Sequence, residues 1–388
     1  MSKINVRSPY FINISAYGLA SVELKLYIYS GTKTTSRPAT ATYTLSADAI
    51  IYGSSPNITT FEIAELVRDY ISNTFNDTYS SSNLWVDYTT QQTNTSGTTG
   101  SVSAFTQLTA FDGYGYFEDG ANPQNDLVTL QSNELIFTND LSAVRIPVYV
   151  SSDTSVTYLK DGEQIFTKDL TTSTSNTLQI QYVENSALDA DKFKERVDAI
   201  ADTTVEAFNC VKAIANDVYQ EFDADTIYIE QNGVIDVIKV EEIEECKYSP
   251  YKVTFINKFG ALQDLWFFKR ANLSLSTKKE EYTANTMSEG SYSINQASKT
   301  IFNKRGTEML KLNTGFYPES YNEIFRQLSL SEEVWIKYEG QTLPIIVKTS
   351  SLNYKTSIND KLINYTMDVE FAFNKINNTR SKQDVEIY

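Results

Sequence analysis

Residues with reactive side chains are scarce in this chain of 388 residues. It contains no histidine and only two cysteines, Cys210 and Cys246. Without an imidazole, the chain cannot build a Ser-His-Asp or Cys-His nucleophilic site. Histidine zinc sites are excluded as well, and two thiolates are too few for a four-cysteine zinc site within one chain. The composition therefore predicts a protein without imidazole-based catalysis, and we expect no cofactor.

The two thiols themselves are expected to be free and buried. The sequence shows no secretory context, and disulfides are rare in proteins that stay in a reducing compartment. A disulfide between Cys210 and Cys246 is the alternative.

One segment, FEDGANPQND at 117–126, concentrates carboxylate and amide oxygens between turn-forming residues. Calcium ions prefer such oxygens, roughly six to eight for each ion. The spacing does not match an EF-hand loop, so a solvated loop is the simpler interpretation and a calcium site is the alternative.

An acidic run includes Glu241, Glu242, Glu244 and Glu245. Glycosidases use two carboxylates about 5–10 Å apart. Consecutive residues of a strand face opposite sides, so the run alone does not define a cleft. It is more typical of a charged strand edge that discourages aggregation.

Three aromatic residues, Trp266, Phe267 and Phe268, precede Lys269 and Arg270. An exposed aromatic and basic patch is one interpretation. Alternation along a strand instead predicts that Trp266 and Phe268 share a core face.

Charge is distributed unevenly along the chain, whose net charge is −16. Residues 151–257 carry 21 acidic and 9 basic side chains, whereas residues 258–311 carry 9 basic and 5 acidic side chains. Broad binding to duplex DNA is not expected of such an acidic chain, because phosphate contacts need clustered Lys and Arg. We predict that the one basic region contacts acidic faces of neighbouring subunits. The candidate subunit contacts are Lys278, Lys279, Lys304 and Arg305 on the basic side and Asp198, Asp202 and Glu206 on the acidic side.

Three segments have helical periodicity. Residues 187–222 place apolar side chains at three- to five-residue steps without Gly or Pro, and acidic residues occupy the other face. Residues 61–71, FEIAELVRDYI, predict a second helix that covers one end or face of a β domain, with Thr59 or Thr60 as its cap. A short third helix is predicted at 318–331, PESYNEIFRQLSLS, with Ile324, Phe325 and Leu328 inward.

Strand patterns dominate the remaining sequence. Residues 21–30, SVELKLYIYS, alternate between apolar and polar, as in a half-buried strand. Asp161-Gly162 and Asn232-Gly233 each separate two alternating runs, which predicts two tight hairpins. The predicted fold class is mainly β, with several antiparallel sandwich-like or barrel-like domains and a helical insertion around 187–222.

The length favours more than one domain. We predict an N-terminal β domain at 1–150 with its covering helix at 61–71. Residues 151–246 would form hairpins around the acidic helix, 247–376 a C-terminal β domain, and 377–388 a polar tail. No stretch approaches the roughly 20 apolar residues of a membrane helix. The start of the chain, MSKINVRSPYFINIS, lacks the apolar run of a secretory signal, which predicts synthesis and assembly in the cytoplasm.

Several blocks resemble virion structural proteins of tailed bacteriophages, including crAss-like phages of Bacteroidetes and related marine phages. The resemblance covers about the C-terminal 150 residues and extends more loosely to RSPYFINIS (7–15) and ELKLYIYSG (23–31). The blocks that carry it are EECKYSPY (244–251), KVTFINKFGALQDLWFFKR (252–270), LSLSEEVWI (328–336) and SLNYKTSINDKLINYTMDVEFAFNKINNTR (351–380).

This resemblance implies a structural role without a catalytic motif. The expected protein is a ring-forming tail, neck or baseplate-like component of the virion, present in several copies around an axis. Its expected partners are further copies of itself and other tail, portal or neck proteins, with no membrane insertion. The alternative is a receptor- or glycan-binding tail protein with depolymerase activity. That alternative requires exposed aromatic rings, so the exposure of the Trp85 and Tyr114 rings tests it.

Overall fold

The structure of this protein is a computed structural model. It describes residues 2–51, 56–80, 83–124, 127–150, 153–170, 180–188, 219–221, 224–287, 290–349 and 363–376. The predicted tail at 377–388 lies outside these residues.

Strands account for most of the described residues, so the predicted mainly β fold is confirmed. In the first half of the chain the strands are β1 (Lys3–Asn5), β2 (Phe11–Ala16), β3 (Leu19–Tyr29), β4 (Tyr43–Asp48), β5 (Asn57–Glu62), β6 (Asn83–Asn94), β7 (Thr106–Phe111), β8 (Leu135–Thr138), β9 (Arg145–Tyr149), β10 (Thr154–Lys160), β11 (Glu163–Leu170), β12 (Ile180–Glu184) and β13 (Ser186–Leu188). In the second half they are β14 (Tyr219–Glu221), β15 (Thr226–Gln231), β16 (Val234–Glu242), β17 (Tyr251–Ile256), β18 (Leu262–Phe267), β19 (Lys269–Thr283), β20 (Lys299–Asn313), β21 (Val334–Tyr338), β22 (Gln341–Val347) and β23 (Thr366–Phe371).

Helices are short in the described part of the chain. The two α-helices are α1 (Ala64–Arg68) and α2 (Asn322–Leu330), and single 3-10 turns occupy Phe117–Asp119, Leu141–Ala143 and Glu319–Tyr321. The predicted helix at 61–71 was too long, because Phe61 ends up in β5, which pairs with β2. The expected caps Thr59 and Thr60 are likewise strand residues.

The chain divides into two compact units. Unit 1 comprises Met1–Glu244 and Thr254–Leu265, and unit 2 comprises Glu245–Val253 and Trp266–Tyr388. The finer division at 150, 246 and 376 stays a prediction.

Unit 1 contains two sandwich-like parts, each formed by a five-stranded sheet and a two-stranded pair that share one core. In the N-terminal part, the five-stranded sheet β1-β7-β6-β3-β4 shares its core with the β2-β5 pair and with α1. Leu24, Val86, Ile12 and Val67 are buried together there. Each sheet hides only one face, so apolar and polar residues alternate along the strands, as the sequence indicated.

The following part repeats this arrangement. The sheet β11-β10-β15-β16-β8 shares a core with the β12-β9 pair. Both predicted hairpins lie in this sheet, side by side. Asp161 and Gly162 have φ of 52° and 83°, and Asn232 and Gly233 have φ of 53° and 78°. Two positive φ values in succession are what a type I′ turn requires, so both predicted turns are confirmed.

Most of the predicted acidic helix at 187–222 lies outside the described residues. Its predicted ends are strands instead, since β13 pairs antiparallel with β14. All the sheets in the described ranges are open, so the barrel-like form of the prediction is not observed.

A buried polar network explains why residues 254–265 belong to unit 1. The Asn257 side chain is fully buried, and its Nδ2 donates to the Leu130 carbonyl at 2.7 Å and to Gln263 Oε1 at 3.0 Å. Its Oδ1 accepts from the amides of Phe259 and Ala261. One side chain thus shapes the turn between β17 and β18 and bonds it to the loop before β8.

Two hydroxyls add to this attachment within unit 1. Tyr79 donates to Asp264 Oδ2 at 2.6 Å, and Thr254 donates to Asp264 Oδ1 at 2.6 Å. Burial, and then the charge of Asp264, raise the pKa of Tyr79 well above its usual range. The phenol therefore stays protonated and serves as a hydrogen-bond donor.

In unit 2 the strands β21, β22, β23, β20 and β19 lie side by side in this order in one sheet. Helix α2 buries Ile324, Phe325 and Leu328, as the sequence predicted for the segment 318–331. Rings stack around this helix, with Phe325 and Tyr365 centroids 4.3 Å apart. The last two strands of the sheet, β20 and β19, extend far beyond it.

Candidate assembly surface

The feature of unit 2 with the most exposed surface is a long two-stranded hairpin. Strands β19 and β20 have 15 residues each and pair from one end to the other, with register irregularities between Lys269 and Asn272 and between Glu280 and Glu281. Only Met309–Asn313, at the base of β20, also pair with β23. At roughly 3.4 Å per residue, the ten remaining positions of β20 extend about 34 Å from the sheet. We call residues 269–313 the β-arm.

Contacts with the chain after β23 support the base of the β-arm. The Lys375 amide donates to the Gly306 carbonyl at 2.7 Å. Lys375 Nζ lies 3.0 Å from Glu308 Oε2, and this hydrogen bond with the carboxylate raises the pKa of the lysine. The supported part of β20 therefore ends near Gly306, and the outer part begins at Arg305.

The four predicted basic contacts meet at this boundary. In the register of the hairpin, Lys278 lies opposite Arg305, and Lys279 lies opposite Lys304. Because neighbouring residues of a strand point to opposite faces, one like-charged pair occupies each face of the β-arm. Like charges directly opposite one another destabilise a sheet. The two like-charged pairs therefore destabilise the hairpin locally, and the surrounding residues offset only part of this charge repulsion.

Compensation is present on one face. Lys279 Nζ lies 2.9 Å from Glu281 Oε2. On the other face, no described carboxylate lies within ion-pair distance of Lys278 or Arg305. Glu280, two residues from Lys278 on the same face, accepts a hydrogen bond from Asn303 instead, so the two cations have no ion pair among the described residues. The predicted acidic contacts Asp198, Asp202 and Glu206 lie outside the described residues.

Large apolar side chains are also exposed along the β-arm. Tyr282 and Phe302 pack against each other with ring centroids 6.1 Å apart, yet Phe302 remains 65% exposed. A monomeric soluble protein rarely exposes a continuous apolar surface of this kind. The exposed apolar residues of the β-arm are Leu273, Leu275, Tyr282, Met287, Tyr292, Ile294, Ile301 and Phe302.

A second exposed surface lies on unit 1, on the outer side of the sheet β11-β10-β15-β16-β8. The register places Asp169, Ser155, Glu230 and Ile235 in one row across four strands. In the next row Tyr228 lies opposite Val237. We call these six residues and Asp153 the acidic face.

The acidic face combines carboxylates with apolar side chains. An open depression with a volume of about 480 Å³ is lined by Asp153, Ser155, Asp169 and Glu230, among others. Beside it, Ile235 is 55% exposed and Val237 and Tyr228 are exposed as well. The inward-facing residues of the same strands form the buried core.

Sequence analysis missed this surface. The carboxylates lie in or directly beside different strands, so the register of the sheet decides whether they are neighbours in space. Charge was the one sequence signal that could have revealed the acidic face. Residues 153–170 and 224–244 together carry ten acidic and three basic side chains.

The proposed calcium loop uses its oxygens internally. Asp119 Oδ2 accepts from the Tyr116 amide at 2.8 Å, and the Asn122 side chain both accepts from and donates to the Phe11 backbone. Within the described ranges, no three Cys, Asp or Glu side chains are placed to hold a metal ion. Asn125 and Asp126 of this loop lie outside the described residues, so the choice between a solvated loop and a calcium site stays a prediction.

The acidic run begins on a paired strand. Glu241 and Glu242 lie on β16 where it pairs with β8, and Glu245 binds Lys269 Nζ at 2.5 Å. The hydrogen bond from Lys269 lowers the pKa of the Glu245 carboxyl. At Glu241 and Glu242 one side of β16 is therefore paired, while the other side lies beyond the last β15 pair at Lys239, and the role of the run against aggregation stays a prediction.

The aromatic run is mostly core. Phe267 and Phe268 are both buried, and Trp266 is half-buried with its ring stacked on Phe268 at 6.3 Å. Strand β18 ends at Phe267, and the break before β19 lets consecutive phenylalanines both turn inward. Cys246 is a free thiol but is exposed, so the expectation of a buried thiol was wrong there, and Cys210 lies outside the described residues.

The two aromatic residues chosen to test glycan binding do not offer flat exposed rings. Trp85 is 2% exposed and donates its indole N–H to the Gly31 carbonyl at 2.9 Å. Tyr114 is half-buried between Arg7 and Tyr116. The carbohydrate-binding alternative thus loses the residues on which it depended.

Comparison with known proteins adds no family to this description. No protein-family model matches the chain, and no curated protein matches it significantly. Among the described residues, no helix is both long enough and apolar enough to span a bilayer.

Proposed function

We propose that this protein is a structural subunit of a tailed-phage virion that builds a ring in the tail, neck or baseplate. The observation that carries the proposal is the β-arm, which exposes apolar rings and like-charged pairs far from any core. Its partners are further copies of the chain and adjoining tail, portal or neck proteins. In this proposal the protein binds no specific nucleic acid, catalyses no reaction and resides in the virion.

The energetics of the β-arm support an assembly role. An isolated two-stranded ribbon is marginally stable in water, because it has no second layer to cover its apolar side chains. Its unpaired backbone edges also invite strand pairing with other chains. Both costs are removed when the ribbon is covered by a neighbouring subunit, so the arm is better suited to an assembly than to a monomer.

Symmetry then determines what such an arm builds. When the arm of one copy contacts a different surface on the next copy, the contact is heterologous and the repeated rotation closes into a ring or continues as a filament. A chain that carries both an extended arm and a sheet with an exposed face supplies both halves of such a contact.

Sedimentation velocity and negative-stain microscopy of the full chain test this proposal. We expect closed rings that dissociate on dilution, and a loss of rings in the double variant Lys304→Glu, Arg305→Glu. The matched control reverses two exposed lysines outside the arm, in the double variant Lys247→Glu, Lys348→Glu, and should leave the rings intact. A wild-type chain that stays monomeric up to its solubility limit would overturn the proposal.

A further inference from the structure

The Lys278 side of the β-arm has a distinct chemical character. Lys278 and Tyr282 are four residues apart on β19, so strand alternation places them on the same side of the ribbon. The register irregularity between them falls on β20, where Phe302 has no Cα partner. Arg305 lies opposite Lys278, and Phe302 packs against Tyr282. This side therefore offers two cations next to an exposed aromatic pair. We call it the cationic side of the β-arm.

The acidic face has the complementary chemistry. Asp169 and Glu230 flank Ser155 on adjacent strands, so their backbones are roughly 10 Å apart. The depression between them is open to solvent and is wide enough to admit the end of a lysine or arginine side chain. The exposed Ile235 and Val237 lie beside the carboxylates, where an aromatic ring from a partner could cover them.

We propose that the cationic side of the β-arm docks on the acidic face of a second copy of this chain. This inference rests on the proposed function and names the contact that joins neighbouring subunits. Lys278 and Arg305 enter the depression beside Asp169 and Glu230, while Tyr282 and Phe302 cover the exposed apolar residues next to it.

Charge identifies the occupant as a second copy. The β-arm carries eight basic and four acidic side chains, against ten acidic and three basic in residues 153–170 and 224–244. Opposite potentials accelerate encounter, and like charges repel alternative pairings such as arm with arm or face with face. Both halves of the contact are present on every chain, so one kind of subunit suffices to propagate it.

Docking also relieves the charge repulsion between Lys278 and Arg305 inside the hairpin. Lys278 opposite Arg305 is unfavourable in an isolated arm, and carboxylates from a partner convert the repulsive pair into a charge-compensated group. On the other face, Glu281 already compensates the charge of Lys279, so that face gains less from the carboxylates of a partner. The inference therefore assigns docking to one side of the arm only.

A charge-swap experiment on the full chain tests the contact. The arm variant is Lys278→Glu, Arg305→Glu, and the acceptor variant is Asp169→Lys, Glu230→Lys. Each should lower the apparent association constant at least tenfold in sedimentation equilibrium. An equimolar mixture of the two variants should restore assemblies of alternating subunits, because the reversed arm matches the reversed face and the unreversed arm of the acceptor variant matches the unreversed face of the arm variant.

The combined quadruple variant carries both reversals on every chain, and it should recover rings. The control variant Lys279→Glu, Lys304→Glu changes the same number of charges on the other side of the arm and should assemble like the wild type. Far-ultraviolet circular dichroism of each variant checks that the fold is retained.

The outcomes separate this inference from the proposed function. A wild-type chain that forms rings insensitive to both variants sinks the inference and leaves the function standing. Loss of assembly in the arm variant but not in the acceptor variant shows that the arm docks elsewhere, which also overturns the inference. A wild-type chain that never self-associates removes both.

Discussion

Lys278 and Arg305 lie directly opposite each other on β19 and β20, with no described carboxylate within ion-pair distance of either. Opposed residues in antiparallel strands have Cβ atoms roughly 4.5–5.5 Å apart, so their charges repel across the ribbon. A protein selected only for the stability of the monomer would not place two cations there. The pair is therefore the clearest local conflict between folding and function in the described residues.

Replacing one member of this pair should stabilise the arm. In Lys278→Glu the new carboxylate faces Arg305, and we expect a gain of about 0.5 kcal/mol in the local stability of the hairpin. Amide hydrogen exchange should show slower exchange along β19 and β20. Lys278→Gln removes the repulsion without adding attraction, so its gain should be smaller. Unchanged or faster exchange in Lys278→Glu would contradict the electrostatic account.

A second prediction concerns the buried ion pair of unit 1. Arg37 contacts Asp87 through Nε at 2.5 Å, and Asp87 is fully buried and also accepts from the Tyr29 hydroxyl at 2.9 Å. Arg37→Met leaves the carboxylate buried without its cation, so we expect a loss of about 3–5 kcal/mol in the free energy of unfolding. Urea unfolding measures this loss.

The control for that prediction is an exposed pair on the same sheet. Lys25 and Glu23 lie 3.2 Å apart with about two fifths of each side chain exposed, and such pairs contribute roughly 0–1 kcal/mol. Lys25→Met should therefore change stability little. Equal losses in Arg37→Met and Lys25→Met would show that burial of Asp87 is not the cause.

The third prediction tests the attachment of residues 254–265 to unit 1. Asn257→Ala removes the side-chain partners of the Leu130 carbonyl and of two backbone amides, all buried. Each buried polar group that loses its partner costs about 1–3 kcal/mol, so we expect a loss of at least 2 kcal/mol. Asn272→Ala, at an exposed position of β19, is the matched control and should be nearly neutral. Thermal unfolding of both variants decides the matter, and an equally stable Asn257→Ala would refute the role of the network.

The fourth prediction concerns alkaline pH. Burial raises the pKa of Tyr149 from 10.0 to about 12. In this window the unfolded chain has lost the phenolic proton while the folded chain retains it, so the stabilising contribution is complete below pH 10 and declines as the pH rises towards 12. We expect Tyr149→Phe to unfold less steeply with pH over that range than the wild type.

A matched tyrosine makes this comparison specific. Tyr17 is 78% exposed, and Tyr17→Phe should leave the pH dependence of unfolding as it is in the wild type. Stability is followed by urea midpoints at several pH values. Parallel pH profiles for Tyr149→Phe and the wild type would contradict the assignment.

Local sequence sufficed for elements whose determinants are neighbours in the chain. Asp161-Gly162 and Asn232-Gly233 form tight turns because only residues that tolerate positive φ fit both central positions. The apolar spacing of Ile324, Phe325 and Leu328 similarly predicted α2, because a helix brings these positions to one side within two turns. The lack of histidine excluded whole classes of site without reference to the fold.

Prediction failed where a distant strand altered the local preference. The segment 61–71 has helical spacing, but pairing of β5 with β2 holds Phe61 in a strand and leaves only Ala64–Arg68 helical. The length of the β-arm was likewise not predicted, because its charged and exposed residues lack the alternation that burial of one face imposes.

The sequence alone determined a β-rich chain without imidazole chemistry, its hairpin turns and a basic region within an acidic protein. Only the tertiary structure decided that Lys278 opposes Arg305 and that Asp169 and Glu230 share one face of a sheet. The physical reason is that turns and helices are set by contacts between near neighbours. Strand register instead joins residues far apart in sequence, and a shift by a single residue would send every side chain to the other face.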